Sequence, residues 1–158
     1  MKIGLIGTSC SGKTTLAKQL SEHFKFTLVD EIAREYFAEL LSLESTQYEI
    51  LFKQIQREMW AGKNVVTDRT VIDNYIHTVR SFKPKKHLLK FVCDWAQTYD
   101  IILLCKKLPF VDDGFRVDVN MENDMIQFMK NNLIDFEIID GNEIERFETA
   151  KKLINRKI

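Results

Sequence analysis

The run Gly7-Thr8-Ser9-Cys10-Ser11-Gly12-Lys13-Thr14 carries the densest chemistry in this chain. It satisfies G-x-x-x-x-G-K-[ST] in full, with an apolar stretch before it and helix-spaced apolar residues after it. Gly7 and Gly12 let the backbone curl so that successive N–H groups point inward at phosphate oxygens. A helix opening there adds partial positive charge. Ser9, Cys10, Ser11 and Thr15 complete the lining. Lys13 can bridge the outer phosphates, and the Thr14 hydroxyl suits a small divalent cation.

Charged residues gather in short groups elsewhere in the chain. Asp68 ends the apolar run Val65-Val66-Thr67, where a carboxylate can hold the same cation, or can cap the helix that follows. Asp30 and Glu31 follow another apolar run, and either one can take a proton from an acceptor hydroxyl. Arg34 shares a helical face with both, as clamp or as ion-pair partner. Arg69 and Asp73 are four apart, either a helical ion pair or a substrate clamp. Arg116 sits in an aperiodic loop at about 106–118 whose mix of aromatics, glycine and charge suits a mobile cover, with the arginine on a transferring phosphate. Gly141, in Asp140-Gly141-Asn142, can let backbone approach a flat base or simply make a turn.

The periodicity that must position these groups alternates between two kinds. Strands are predicted at 2–6, 26–29, 64–67, 101–105 and 135–139. The run 101–105 is apolar throughout, as in a strand covered on both faces. Helical spacing follows the glycine loop through Leu16, Ala17, Leu20 and Phe24. A helix or helical turn is predicted at 30–41, and a capping box at Thr46 and Glu49 opens another that stops near Gly62. Further helices are predicted at 71–81, 85–98 and 119–131. A last one is capped by Asn142, with Ile144, Phe147, Ala150 and Ile154 as its apolar face. Strands alternating with helices imply an α/β domain, a parallel sheet with helices on both faces. Ligands on such sheets bind beyond the carboxyl ends of the strands, where the charged groups fall.

Composition narrows the setting. The chain has 158 residues, the size of one domain, and 45% are hydrophobic, enough for a real core. Lys and Arg (23) balance Asp and Glu (23), so the formal net charge is zero, which disfavours an electrostatic sheath for nucleic acid. No apolar run reaches the ~20 residues of a membrane span. Cys10, Cys93 and Cys105 show no metal or disulfide spacing, and the expectation is a reduced, cytoplasmic protein.

With these residues in view, the chain resembles a branch of the P-loop kinases. That branch contains the nicotinamide-riboside kinase domain of the bifunctional NAD-biosynthesis regulator, and small phage ATPase/kinase proteins look similar. The resemblance rests on Gly4–Leu20, DEIAREY at Asp30–Tyr36, TDRTVIDNY at Thr67–Tyr75, YDIILL at Tyr99–Leu104 and VDDGFR at Val111–Arg116. It implies a five-stranded parallel sheet in the order 2-3-1-4-5 and transfer of the γ-phosphoryl group from ATP, with Mg²⁺, to a small acceptor. Thr67-Asp68-Arg69 departs from the branch and looks more like thymidylate and deoxynucleoside kinases. The acceptor classes left open are a nucleoside, a nucleotide and, less favoured, a modified base in DNA. The competing expectation is an ATPase that acts as a switch or binds a partner.

Overall fold

The computed structural model describes residues 1–83, 86–109 and 120–158. Five strands, β1 (Lys2–Ile6), β2 (Thr27–Val29), β3 (Val65–Asp68), β4 (Ile101–Cys105) and β5 (Glu137–Ile139), form one sheet in the order β2-β3-β1-β4-β5. All four pairings are parallel, as the alternating pattern and the resemblance implied. The helices are α1 (Lys13–Phe24), α2 (Glu44–Trp60), α3 (Val71–Ser81), α4 (Lys86–Ala96), α5 (Glu122–Asn131) and α6 (Glu143–Asn155). No helix among the described residues is long and apolar enough to cross a membrane.

Both faces of the sheet are covered. Ile101, Leu103 and Cys105 of β4 point to the layer of α1 and α6, against Leu16, Leu20, Ala150 and Ile154. Ile102 and Leu104 point the other way, into the layer of α2 to α5, against Leu51, Ile72, Val92 and Met125. Side chains alternate along a strand, so burial on both faces demands an unbroken apolar run. These two layers hold the strand ends, and hence the loops after them, in fixed register.

One expectation is narrowed and two need correction. Of the helix or helical turn predicted at 30–41 the structure has turns: two 3₁₀ turns, Ile32–Glu35 and Ala38–Ser42, separated by extended backbone at Tyr36 and Phe37. Ile32 is the only residue of those turns that is buried, while Phe37 is 78% exposed. Ile32, Tyr36 and Leu40 are spaced as on a helix, but with so little of the stretch buried there is little to offset the cost of nucleating one. Next, α2 starts at Glu44, so Thr46 is not its cap but a buried residue of its first turn. Gln47 Nε2 donates to the Leu41 carbonyl at 2.6 Å and ties the preceding turn onto the helix. Lastly, Ile144 of α6 is exposed, and it is Arg146 that is buried. The end of the loop at about 106–118, the start of the helix predicted at 119–131, and Arg116 itself lie outside the described residues.

Candidate active site

The loop from Gly7 to Gly12 joins β1 to α1 at the carboxyl edge of the sheet. A Cβ at Gly7 would stand 2.6 Å from the Cys105 carbonyl oxygen and 2.8 Å from Ser11 Oγ, so only glycine lets the loop lie this close to β4. Cys10 takes left-handed backbone at φ 54, and its carbonyl accepts from Leu108 N at 2.8 Å. Lys13 folds back over the loop. Its Nζ donates to the Thr8 carbonyl at 2.7 Å and to Ser11 Oγ at 3.0 Å. Burial, then the Arg69 guanidinium, pull the Lys13 ammonium down to about 8, while Asp73 and Asp68 push back. A buried cation so penalised is poised to gain from an anion in the loop. Ser11, Gly12, Lys13, Thr14, Thr15 and Arg34 line a cavity of about 200 Å³.

Thr14 Oγ1 donates to Asp68 Oδ2 at 2.6 Å. Asp68 is 2% exposed, and its other oxygen, Oδ1, is buried with no hydrogen-bond partner. An orphaned carboxylate oxygen beside a hydroxyl fits a hard cation. Among the described residues no group of three or more His, Cys, Asp or Glu could cage a metal. The donor set therefore suits an ion that keeps water and phosphate oxygens in its shell, as Mg²⁺ does.

Next to this pair lies the acid–arginine cluster. Val29 of β2 is level with Thr67 of β3, so two residues further Glu31 comes level with Arg69. Glu31 is 6% exposed, whereas Asp30, one residue earlier, is exposed. Arg69 Nε donates to Glu31 Oε1 at 2.5 Å, and Arg34 Nε to Glu31 Oε2 at 3.0 Å. The two ion pairs are unequal. Arg69 is 14% exposed and Arg34 43%, and exposed pairs contribute about 0–1 kcal/mol. Burial works against the Arg69 cation, but Glu31 and Asp73 outweigh it and hold its pKa above the ordinary value.

Asp73 does not face the crevice as a substrate clamp. It is fully buried, Oδ2 accepts from Thr70 N at 2.9 Å and Thr70 Oγ1 at 3.0 Å, and Oδ1 accepts from Gly7 N at 3.3 Å. It closes the capping box of α3 and moors the first residue of the phosphate loop. Arg69 Nη1 approaches it only to 3.6 Å. Gly141 lies at the end of β5 with φ 97, where a Cβ would stand 2.5 Å from Glu145 Oε2. The capping box of α6, in which Glu145 reaches back to Asn142, accounts for this glycine without a ligand.

The structure adds residues whose types and spacing had not singled them out. Gln54 Nε2 donates to the Arg69 carbonyl at 3.2 Å and to Glu58 Oε1 at 2.7 Å. Glu58 is buried, and is held by Lys2, Trp95 and Tyr99. The spacing of four on α2 was the only signal, and it reads equally as a solvated face. Arg146 spans three loops. Its signal was a cation in the first turn of a helix, against the dipole.

Solved structures share this architecture. One is a deoxyadenosine kinase from M. mycoides with products dCMP and a flexible dCDP bound, at 17% identity and a TM-score of 0.70, over 99% of this chain and 100% of that one. Another is NadR protein in complex with NR, at 20% identity and a TM-score of 0.74 over 99% of this chain; this chain covers 51% of that one, about half its length. A third is shikimate kinase from Acinetobacter baumannii in complex with shikimate, at 15% identity and a TM-score of 0.58, over 98% of this chain and 91% of that one. At such identities the likeness establishes the fold. No curated protein matches the chain. The phosphate loop, its flanking β1 and α1, and the whole sheet fall within residues 2–139, which match the AAA domain, and the chain belongs to that family.

Proposed function

We propose that this chain is an ATP-dependent phosphotransferase whose acceptor is a small nucleoside-like or nucleotide-like molecule. One observation carries the reading. Arg34 lines the same cavity as Ser11, Gly12, Lys13, Thr14 and Thr15, and pairs with Glu31, which Arg69 grips through its other oxygen. Hydrolysis needs only a placed water. A buried carboxylate held between two guanidiniums beside the phosphate loop suits the binding and activation of a second substrate. The kinases named above, with dCMP, NR and shikimate, support a small hydroxyl-bearing acceptor.

In this reading the loop N–H groups and Lys13 hold the outer phosphates of ATP. Thr14 and Asp68 hold Mg²⁺, which when bound offsets the charge that develops on the phosphate oxygens. Glu31 accepts the acceptor's hydroxyl proton at Oε2, the oxygen shared with the more exposed Arg34. Arg69 fixes the carboxylate through Oε1. Arg34 turns to the acceptor or to the transferring phosphate, bidentately where the acceptor carries phosphate. Arg116 is assigned to the transferring group, from the sequence alone.

Purified protein with γ-labelled ATP and Mg²⁺ tests the proposal against a panel of nucleosides, nucleotides and modified DNA, nicotinamide riboside and deoxyadenosine included. Label appearing on one acceptor class, without matching release of free phosphate, is expected. Free phosphate with no labelled acceptor would replace this reading with that of a switch ATPase.

A further inference from the structure

Arg146 is 3% exposed and stands in the first turn of α6, where a helix disfavours a cation. Its three donor nitrogens are directed at three backbone carbonyls from three different loops. Nε donates to Gly141 at 2.7 Å, Nη1 to Ser11 at 2.7 Å and Nη2 to Lys106 at 3.0 Å. Among the described residues its nearest carboxylate, Asp140, is 3.9 Å away and 65% exposed, so the buried charge is only loosely offset. Burying a guanidinium costs free energy that such a distant, solvated partner does not restore. The bonds to the loops explain its place better than any contribution to the core.

Three further carbonyls of the phosphate loop also accept hydrogen bonds. Thr8 O accepts from Lys13, Cys10 O from Leu108 N, and Gly12 O from Leu16 N at 3.1 Å. Among the described residues all peptide bonds are trans, and a trans peptide points its N–H opposite to its C=O. Ser11 O is turned to Arg146, so the N–H of the same peptide, that of Gly12, faces away from Arg146. Ser11 and Gly12 line the cavity and Arg146 does not.

We infer that Arg146 is a positioning residue for the phosphate loop: by holding the Ser11 carbonyl it turns the Gly12 N–H into the cavity before any ligand arrives. The guanidinium touches no substrate. It acts through one peptide plane and, through Lys106 and Gly141, keeps the loops after β4 and β5 at a fixed distance from that plane. A pre-turned donor spares the bound anion the cost of ordering it. The inference rests on the nucleotide reading above, and the probes are chosen so that the two can fail separately.

The test is binding of ATP and of inorganic tripolyphosphate, by calorimetry, to wild type, Arg146→Lys and Arg146→Met. Loss of a charge-assisted bond that orders the loop should weaken both probes by about 10–100-fold in Arg146→Met and by less in Arg146→Lys. The two probes should weaken by the same factor, because the effect lies in the phosphate loop, and KM for the acceptor should stay within about threefold. A merely structural role would lower thermal stability and leave tripolyphosphate binding by the folded fraction unchanged; that result overturns the inference. Loss of ATP binding with tripolyphosphate binding retained overturns it also, since the effect would then lie in the loop after β5. Wild-type protein that binds neither probe removes the nucleotide reading and this inference together. Should neither variant fold, ¹⁵N NMR of wild type decides. The Gly12 amide must shift on adding tripolyphosphate while the Arg146 guanidinium protons stay protected with and without it. Freely exchanging guanidinium protons in the ligand-free protein would contradict the assignment.

Discussion

Arg69 holds its backbone at φ 95, a region that strains an L side chain by about 1–3 kcal/mol. Its carbonyl is held by Gln54 and its guanidinium by Glu31. The strained turn directs Nε across the strand ends to Glu31 and leaves Nη1 in a looser pair with Asp73 at 3.6 Å. Helical spacing predicted the Asp73 pair, because four residues place two side chains on one face. That rule applies inside a helix, and Arg69 precedes the cap residue Thr70. The residue types at this corner and the Arg69–Asp73 pair were legible in the sequence; the shorter pair with Glu31 was not, because it depends on strand register and on one backbone angle. The strain can be measured. Arg69→Ala loses the guanidinium and keeps the strained backbone, whereas Arg69→Gly loses both. The glycine variant should therefore be the more stable by about 1 kcal/mol in urea unfolding, although glycine ordinarily costs more than alanine. An alanine variant of equal or greater stability would show that φ at this position is unstrained.

Among the elements, α3 does most to connect the site. Its cap, Thr70 with Asp73, reaches the first residue of the phosphate loop, and further along it carries His77. Burial first, then the positive charge of Arg69 and Lys13, lower the His77 imidazole from 6.5 to about 3, against the opposing pull of Glu31. Over that window the unfolded chain binds a proton that the folded chain refuses. Stability from this residue is thus full above about pH 6.5 and is lost as pH falls toward 3, by up to about 1.4 kcal/mol per pH unit. His77→Gln should flatten the fall in unfolding free energy between about pH 6 and pH 4; equal slopes would mean that His77 is already protonated in the fold. α6 shows what periodicity misses. Ala150 and Ile154 of its predicted apolar face are buried, but the first turn buries Arg146 in place of Ile144. The backbone carbonyls that attract Arg146 belong to loops that no pattern within α6 can report. The strands and long helices were readable because the core imposes their periods. At 30–41 the sequence left a helix and a helical turn both open, since the stretch buries too little to impose a period.

At the scale of the whole molecule, strand order assembles the site. β1 at the centre carries the phosphate loop, β3 beside it carries Asp68 and Arg69, and β2 beyond carries Glu31. The site therefore runs along one edge of the sheet, with the phosphate loop at one end and the acid–arginine cluster at the other. In the proposed function, ATP occupies the first and an acceptor the second, so a change in the cluster should alter transfer and spare ATP. Glu31→Gln tests this most directly, because it keeps the shape of the side chain and removes the base. The measurement is ATP affinity by calorimetry beside the rate of phosphoryl transfer to the acceptor identified by the screen. Loss of a placed general base costs about 10²–10⁴-fold in rate. The account predicts a fall on that scale, with ATP affinity within a few-fold of wild type. An unchanged rate, or a loss of ATP affinity in parallel with rate, would contradict it.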